Sequence, residues 1–152
     1  KYTAIARDMA AKWKVMADDG DHYRLTFDKP GTWSQKYNLV WDKILGFGIF
    51  DPEIAETEIA YYLTRQNPYG LPLDSRKAYT KTDWIMWTAT LAGDKETFEA
   101  FVSPVWKYMN ETPVRVPMSD WVYTDTPRQA GFQARSVVGG YYIKMLEGLY
   151  TR

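Results

Sequence analysis

Apolar residues recur at helical spacing along most of the chain. In residues 1–17, Ile5, Met9, Trp13 and Met16 follow one another at three or four positions, with Arg7, Lys12 and Lys14 elsewhere. That spacing puts one apolar stripe on a helix and leaves the charges in water. Residues 52–66 repeat the pattern with Ala55, Ile59, Tyr62 and Leu63, behind an Asp51-Pro52-Glu53 start. There Asp supplies the cap and Pro takes the first helical position. Residues 95–111 do the same with Phe98, Phe101, Val102, Val105 and Met109, capped by Asp94. Pro104 has no donor to give the helix, so a kink or restart is expected there, with Ser103 as a new cap.

Three further segments, 34–46, 83–93 and 132–148, are apolar over most of their circumference. A helix apolar nearly all round is a buried one. Thr32–Gln35 and Thr80–Asp83 have the pattern of capping boxes in front of the first two. Gly139-Gly140 lowers helix propensity inside the third, which makes sense where a backbone or a ligand approaches closely.

The resulting order is amphipathic helix, long polar and aromatic loop, buried helix, short turn, three times over. The long loops are 18–33, 67–81 and 112–131, and the returns at 46–51 and 92–94 are short. Short returns make neighbouring helices antiparallel, so all three long loops should fall at one end, where the buried helices begin. An inner ring of buried helices inside an outer amphipathic ring is the plan of an α/α toroid. The expectation is an all-α chain: one domain over 1–152, with αα-hairpins at about 1–46, 51–93 and 94–148, making half of a six-hairpin ring. Loops this long inside a compact domain are more often functional than idle.

Composition narrows the function classes. Lys+Arg and Asp+Glu are equal at 19 each, so no overall basic bias suggests nucleic acid. No apolar run approaches the ~18 residues of a membrane span. With zero cysteines, disulfides, thiolate metal sites and cysteine nucleophiles are excluded. Aromatic content is high at 16%, with 7 Trp and 12 Tyr, which suits a large core and also clefts for sugars and other small ligands. The chain opens directly on helix, as expected of a fragment or a processed product.

The stretches "DGDHYRLTFDKPGTWSQKYNLVWDKILGF" (19–47), "EIAYYLTRQNPYGLPLDSRKAYTKTDWIMWTATLA" (58–92), "ETPVRVPMSDWVYTDT" (111–126) and "GFQARSVVGGYYIKML" (131–146) closely resemble the C-terminal region of the glutaminase A family. The resemblance covers nearly the whole chain. It implies a toroid of the six-hairpin-glycosidase type, with the remainder of the same polypeptide as a partner, and secretion or a periplasmic location. The implied activity is hydrolysis of the side-chain amide of L-glutamine to glutamate and ammonia. It brings no assignment of catalytic residues.

That reaction needs a cation for the α-carboxylate, a carboxylate or carbonyl for the α-ammonium, a nucleophile or activated water, and a donor for the oxyanion. Asp74-Ser75-Arg76 offers an Arg clamp beside a carboxylate, or a loop tied by its own ion pair. Asp83 is a candidate acid or base tuned by Trp84 and Trp87, or else a helix cap. Asp120, with Trp121 as a pocket wall, is a second candidate, or another cap. Asp83 facing Asp120 would serve a sugar-cleaving enzyme as well as an amidohydrolase. Gln133 and Arg135 are candidate substrate contacts at the third buried helix, Arg135 alternatively an internal ion pair. Tyr37 and Asn38 hold the equivalent place in the first. Asp18, Asp19 and Asp21 cluster near His22, the only histidine, without the later Glu of a calcium loop. No cofactor or metal is expected, and the partner is a small molecule, an amino acid before a sugar. A carbohydrate-active toroid and a non-catalytic interaction module remain as alternatives, because fold alone does not choose.

Overall fold

The computed structural model describes residues 1–150. In chain order these form α1 (Tyr2–Ala17), α2 (Leu39–Leu45), α3 (Pro52–Leu63), β1 (Tyr79–Lys81), α4 (Thr82–Thr90), α5 (Lys95–Glu111), β2 (Trp121–Tyr123), β3 (Gln129–Gly131), a 3-10 helix (Ser136–Tyr142) and α6 (Ile143–Tyr150).

The three amphipathic helices form where their periodicity places them. The Asp51 side chain accepts from the Glu53 N–H with Pro52 at the first helical position, and Asp94 accepts from the N–H and hydroxyl of Thr97. The helix does not restart at Pro104: α5 runs on through it. Pro104 leaves the Ala100 carbonyl without its helical donor, and Gln66 Nε2 fills that place from outside at 3.0 Å. Ser103 caps nothing new; its hydroxyl donates back to the Glu99 carbonyl.

Of the three segments expected to be buried helices, only α4 is buried along its length, with no exposed residue from Thr82 to Thr90. It packs against α2, α5, α6 and the 3-10 helix. The expected first helix shortens to Leu39–Leu45, and neither capping box forms. Gln35 is drawn into the core instead. Its Nε2 donates to the Leu71 and Pro72 carbonyls, and its Oε1 accepts from Thr88. Thr80 belongs to β1, and α4 starts at Thr82 without a side-chain cap. The third segment enters as loop, turns through the 3-10 helix and becomes α6, where only Ile143 is buried. Tyr142, Met145 and Leu149 stand exposed on its far side, as do Ile5, Met9 and Met16 on α1.

The all-α expectation also fails in the long loops, which contain an antiparallel sheet of order β1-β2-β3. Its strands have three residues each, too few to display an alternation that could be seen in sequence. β1 and β2 pair Thr80 with Val122 and Lys81 with Trp121, which joins loop 67–81 to loop 112–131. The first long loop joins them through Gln35 N–H to the Leu73 carbonyl and Ser75 N–H to the Trp33 carbonyl. The three loops therefore make one connected layer at the end where α4 begins. Among the described residues no helix is long and apolar enough to cross a membrane.

Beneath this layer Val40, Ile44, Ile59, Tyr62, Leu71, Ile85, Ala89, Phe101 and Val105 form the main core, and a smaller cluster of Ala17, Tyr23 and Ile54 joins α1 to α3. Glu58, fully buried, ties the first loop to α3. It accepts from the Tyr23 N–H at 2.6 Å and from the Tyr62 hydroxyl, and Lys36 Nζ lies 3.7 Å away. Lys36 in turn donates to the carbonyls of Tyr23 and Ser34. Burial pushes the Glu58 carboxyl up and the Lys36 ammonium down, and each charge partly restores the other.

Candidate active site

The sheet register builds the site. With Lys81 opposite Trp121, the next residue on one strand meets the preceding residue on the other, and the Thr82 N–H donates to the Asp120 carbonyl at 2.8 Å. Asp83, on the first turn of α4, and Asp120, at the start of β2, are thereby brought together from two different loops. Asp83 is 4% exposed and Asp120 1%.

Their surroundings differ. Asp120 Oδ2 receives Lys81 Nζ at 3.1 Å and an Arg135 guanidinium nitrogen at 3.5 Å, while Oδ1 has no partner. Asp83 makes no salt bridge, and its Oδ1 is also without a partner. Burial first, and the Asp120 charge second, raise the Asp83 carboxyl to about 6; the N–H groups of Asp83 and Trp84 and the charge of Lys81 pull weakly the other way. Asp83 is thus no ordinary helix cap.

Six buried side-chain polar atoms among the described residues lack a partner, and four lie in this cluster: Asp83 Oδ1, Asp120 Oδ1, Trp87 Nε1 and Trp121 Nε1. A buried polar atom left unpaired costs about 1–3 kcal/mol, so two acceptors and two donors orphaned together mark a place built for something other than stability.

Aromatic rings wall the cluster. Tyr37 stacks on Trp84 with ring centroids 4.2 Å apart, and Trp87 stands edge-on to Tyr37 and Trp41. On the other side Lys81 Nζ lies 4.7 Å from the Trp121 ring centre and 4.3 Å from that of Phe132, and Arg135 covers the Phe132 ring. The Tyr141 hydroxyl is 2.5 Å from that of Thr82, and burial pushes this phenol well above its ordinary range. Burial and the Asp83 charge also raise Tyr37, which places its phenol within reach of the carboxylate field. Phe132 and Ala134, beside Arg135, hold left-handed backbone with φ of 51° and 52°, a strained conformation of the kind that gathers at functional sites.

Of the residues expected from sequence, Asp83, Asp120, Arg135, Trp121 and Tyr37 meet here. Asp74 and Arg76 pair with each other and with neither Asp83 nor Asp120. Arg76 grips Asp74 with Nε at 3.0 Å and a terminal nitrogen at 2.6 Å, and its own N–H adds a third bond at 2.9 Å. Burial would raise Asp74, but Arg76 outweighs it and holds the carboxyl below its ordinary value. That pair ties a loop. Arg76, Asp74 and Asn38 line an open cleft of about 410 Å³ together with Tyr37 and Trp84. Gln133 is exposed and donates to Gln129. Asp18 and Asp19 are engaged by loop N–H groups and Arg24, and Asp21 by His22. Among the described residues no group of three or more His, Cys, Asp or Glu is placed to hold a metal.

Lys81, Phe132 and Tyr141 escaped the sequence reading. Lys81 acquires its place only through pairing with β2, and Phe132 and Tyr141 only through the way the 131–142 segment folds back over it.

Comparison with known proteins identifies the family. Residues 1–145 match the family described as the glutaminase A six helical-hairpin domain. The chain is similar to glutaminase A of Aspergillus oryzae, 31% identical over 152 residues that cover 95% of this chain and 22% of the relative. It is also similar to a probable glutaminase of Arthroderma benhamiae, 29% identical over 170 residues that cover 91% of this chain and 20% of the relative. No solved structure matches. The chain spans about a fifth of the length of these curated relatives. On the family match over nearly all of its length, this chain belongs to the glutaminase A six helical-hairpin family.

Proposed function

We propose that the Asp83–Asp120 cluster is the acid–base site of a glutaminase-type amidohydrolase that converts L-glutamine to L-glutamate and ammonia. One observation carries the reading: two buried carboxylates from different loops each keep an oxygen free, and only one of them is neutralised by cations. Burial beside a second carboxylate raises the Asp83 carboxyl, which suits a group that must take up and return a proton.

In this reading ionised Asp83 takes a proton from water as the water oxygen attacks the side-chain amide carbon. The negative charge that develops on the amide oxygen is met by an N–H of Lys81. The C–N bond then breaks as Asp83 returns its proton to the departing nitrogen, giving glutamate and ammonia. Asp120, paired with Lys81 and Arg135, offers its free Oδ1 to the α-ammonium. Arg135 has further N–H donors for the α-carboxylate. The Tyr37–Trp84 and Trp121–Phe132 walls exclude water.

The helices are proposed to form part of an α/α ring completed by the rest of the polypeptide. Support comes from the six-hairpin family match and from the apolar residues that α1 and α6 leave exposed. A sugar-cleaving enzyme is the second reading, favoured by the carboxylate pair beside the stacked Tyr37 and Trp84 rings. Ammonia release from glutamine by the full-length protein, reduced about 10²- to 10⁴-fold in Asp83→Asn, is the expected result. Activity on oligosaccharides with none on glutamine would transfer the site to the second reading.

A further inference from the structure

Gly140 lies in the 3-10 helix directly over α4. A Cβ built there would stand 2.8 Å from Trp87 Nε1 and 3.1 Å from Asp83 Cβ. The first distance is closer than a Cβ approaches another heavy atom, and both neighbours belong to α4, one helical turn apart. Its neighbour Gly139 is different: a Cβ there would meet nothing within 4 Å. The two glycines cost the helix the same propensity, yet only one of them is required by a close approach. The contact falls on the Cβ of Asp83, whose carboxylate lacks a cation, and on an indole whose N–H is buried without a partner.

We propose that Gly140 is a positioning residue of this site: its missing side chain lets the 3-10 helix close onto the Asp83–Trp87 face of α4 and keep water from Asp83. The next residue along the same segment, Tyr141, reaches the Thr82 hydroxyl, so the segment is fixed to the first turn of α4 from two adjacent positions. The other charged and titratable groups that act on Asp83 are held elsewhere. Lys81 is on β1, Asp120 precedes β2 with Arg135 behind it, and Tyr37 precedes α2. Lys81, Asp120 and Tyr37 lie on elements other than the one that carries Gly140, whereas Arg135 stands at the N-terminal cap of that 3-10 helix and reaches Asp120 from there. Substitution of Gly140 therefore changes the access of water to Asp83 while leaving Lys81 and Asp120 in place. Lifting the 3-10 helix removes the largest cause of the raised Asp83 carboxyl, which is burial.

The role in catalysis rests on the acid–base reading of Asp83; the seal over the carboxylate can be measured without it. The test compares Gly140→Ala, Gly139→Ala, Trp87→Phe and the double variant Gly140→Ala/Trp87→Phe in the full-length protein. Two readouts are followed: the midpoint of the acid limb of kcat/KM for ammonia release, and the ¹³C carboxyl titration of Asp83, assigned with Asp83→Asn. Gly140→Ala should lower both midpoints by about one pH unit, and Gly139→Ala should move neither. Trp87→Phe opens the same seal from the other side and should also lower them. The double variant, in which the added methyl occupies space vacated by the indole, should return toward the parent. If Gly140→Ala does not fold, Trp87→Phe against the double variant gives the same comparison. Unchanged or raised midpoints in Gly140→Ala, or effects in the double variant that simply add, would overturn the proposal. Should Asp83→Asn keep full activity, the acid–base reading of Asp83 fails, and the carboxyl titration still decides the role of Gly140.

Discussion

Two buried acids lie under the same loop layer and are satisfied to opposite degrees. Glu58 is fully buried, and both of its oxygens are engaged, by the Tyr23 N–H and the Tyr62 hydroxyl, with Lys36 to balance its charge. Asp83 is almost as buried, yet it keeps an oxygen unpaired and has a second carboxylate rather than a cation as its strongest charged neighbour. Burial alone therefore does not separate a structural acid from one proposed to act on substrate. What separates them is whether the lone pairs are used. A satisfied network holds a fold in one arrangement, whereas an unsatisfied pair carries a cost that only a ligand removes.

The contrast can be broken at several points. The largest stability effect is expected from Glu58→Ala, which strands Lys36 in the interior and should cost about 3–5 kcal/mol in denaturant melts. Asp120→Ala stands between the two cases. It releases Lys81, whose side chain is 13% exposed, from its ion pair and should cost about 1–3 kcal/mol while also ending ammonia release.

Asp83→Asn should act with the opposite sign. The raised carboxyl means that its contribution to stability is fully present below the unfolded value of 3.8 and is lost as pH rises through about 6. Removing the charge should thus stabilise the protein by about 1–2 kcal/mol at pH 8, a gain that vanishes near pH 3.5. Urea melts at the two pH values check both sign and window. A loss of stability at pH 8 would move Asp83 into the company of Glu58. The smallest effect belongs to Arg76→Ala. Its guanidinium side chain is 64% exposed and serves only Asp74, so about 1 kcal/mol should be lost with no change in ammonia release.

Helix positions were legible in the sequence because caps and 3.6-residue periodicity are local. Asp51, Asp94 and the stripe of α5 all act within a few residues of themselves. The capping boxes at Thr32 and Thr80 misled because tertiary partners outbid the local ones: Gln35 found core carbonyls and a Thr88 donor, and Thr80 found a strand. The sheet was invisible for a related reason, since a three-residue strand is defined by its partner. The same holds for the site. Asp83, Asp120, Arg135, Trp121 and Tyr37 were recognisable by residue type and by their place near loop-to-helix transitions. Lys81 and Tyr141 join them only through strand pairing and through the fold of the 131–142 segment. Arg76 illustrates the converse. In sequence it has the features of a substrate clamp, but the carboxylate two residues before it already fills its fork.

The central claim is that Asp83 is held partly protonated near neutral pH in order to move protons for amide hydrolysis. The pH dependence of kcat/KM for ammonia release from glutamine by the full-length protein tests it most directly. The account predicts an acid limb with a midpoint near 6, absent from the small residual rate of Asp83→Asn. An Asp83→Asn variant that keeps both the parent rate and the same acid limb would contradict it.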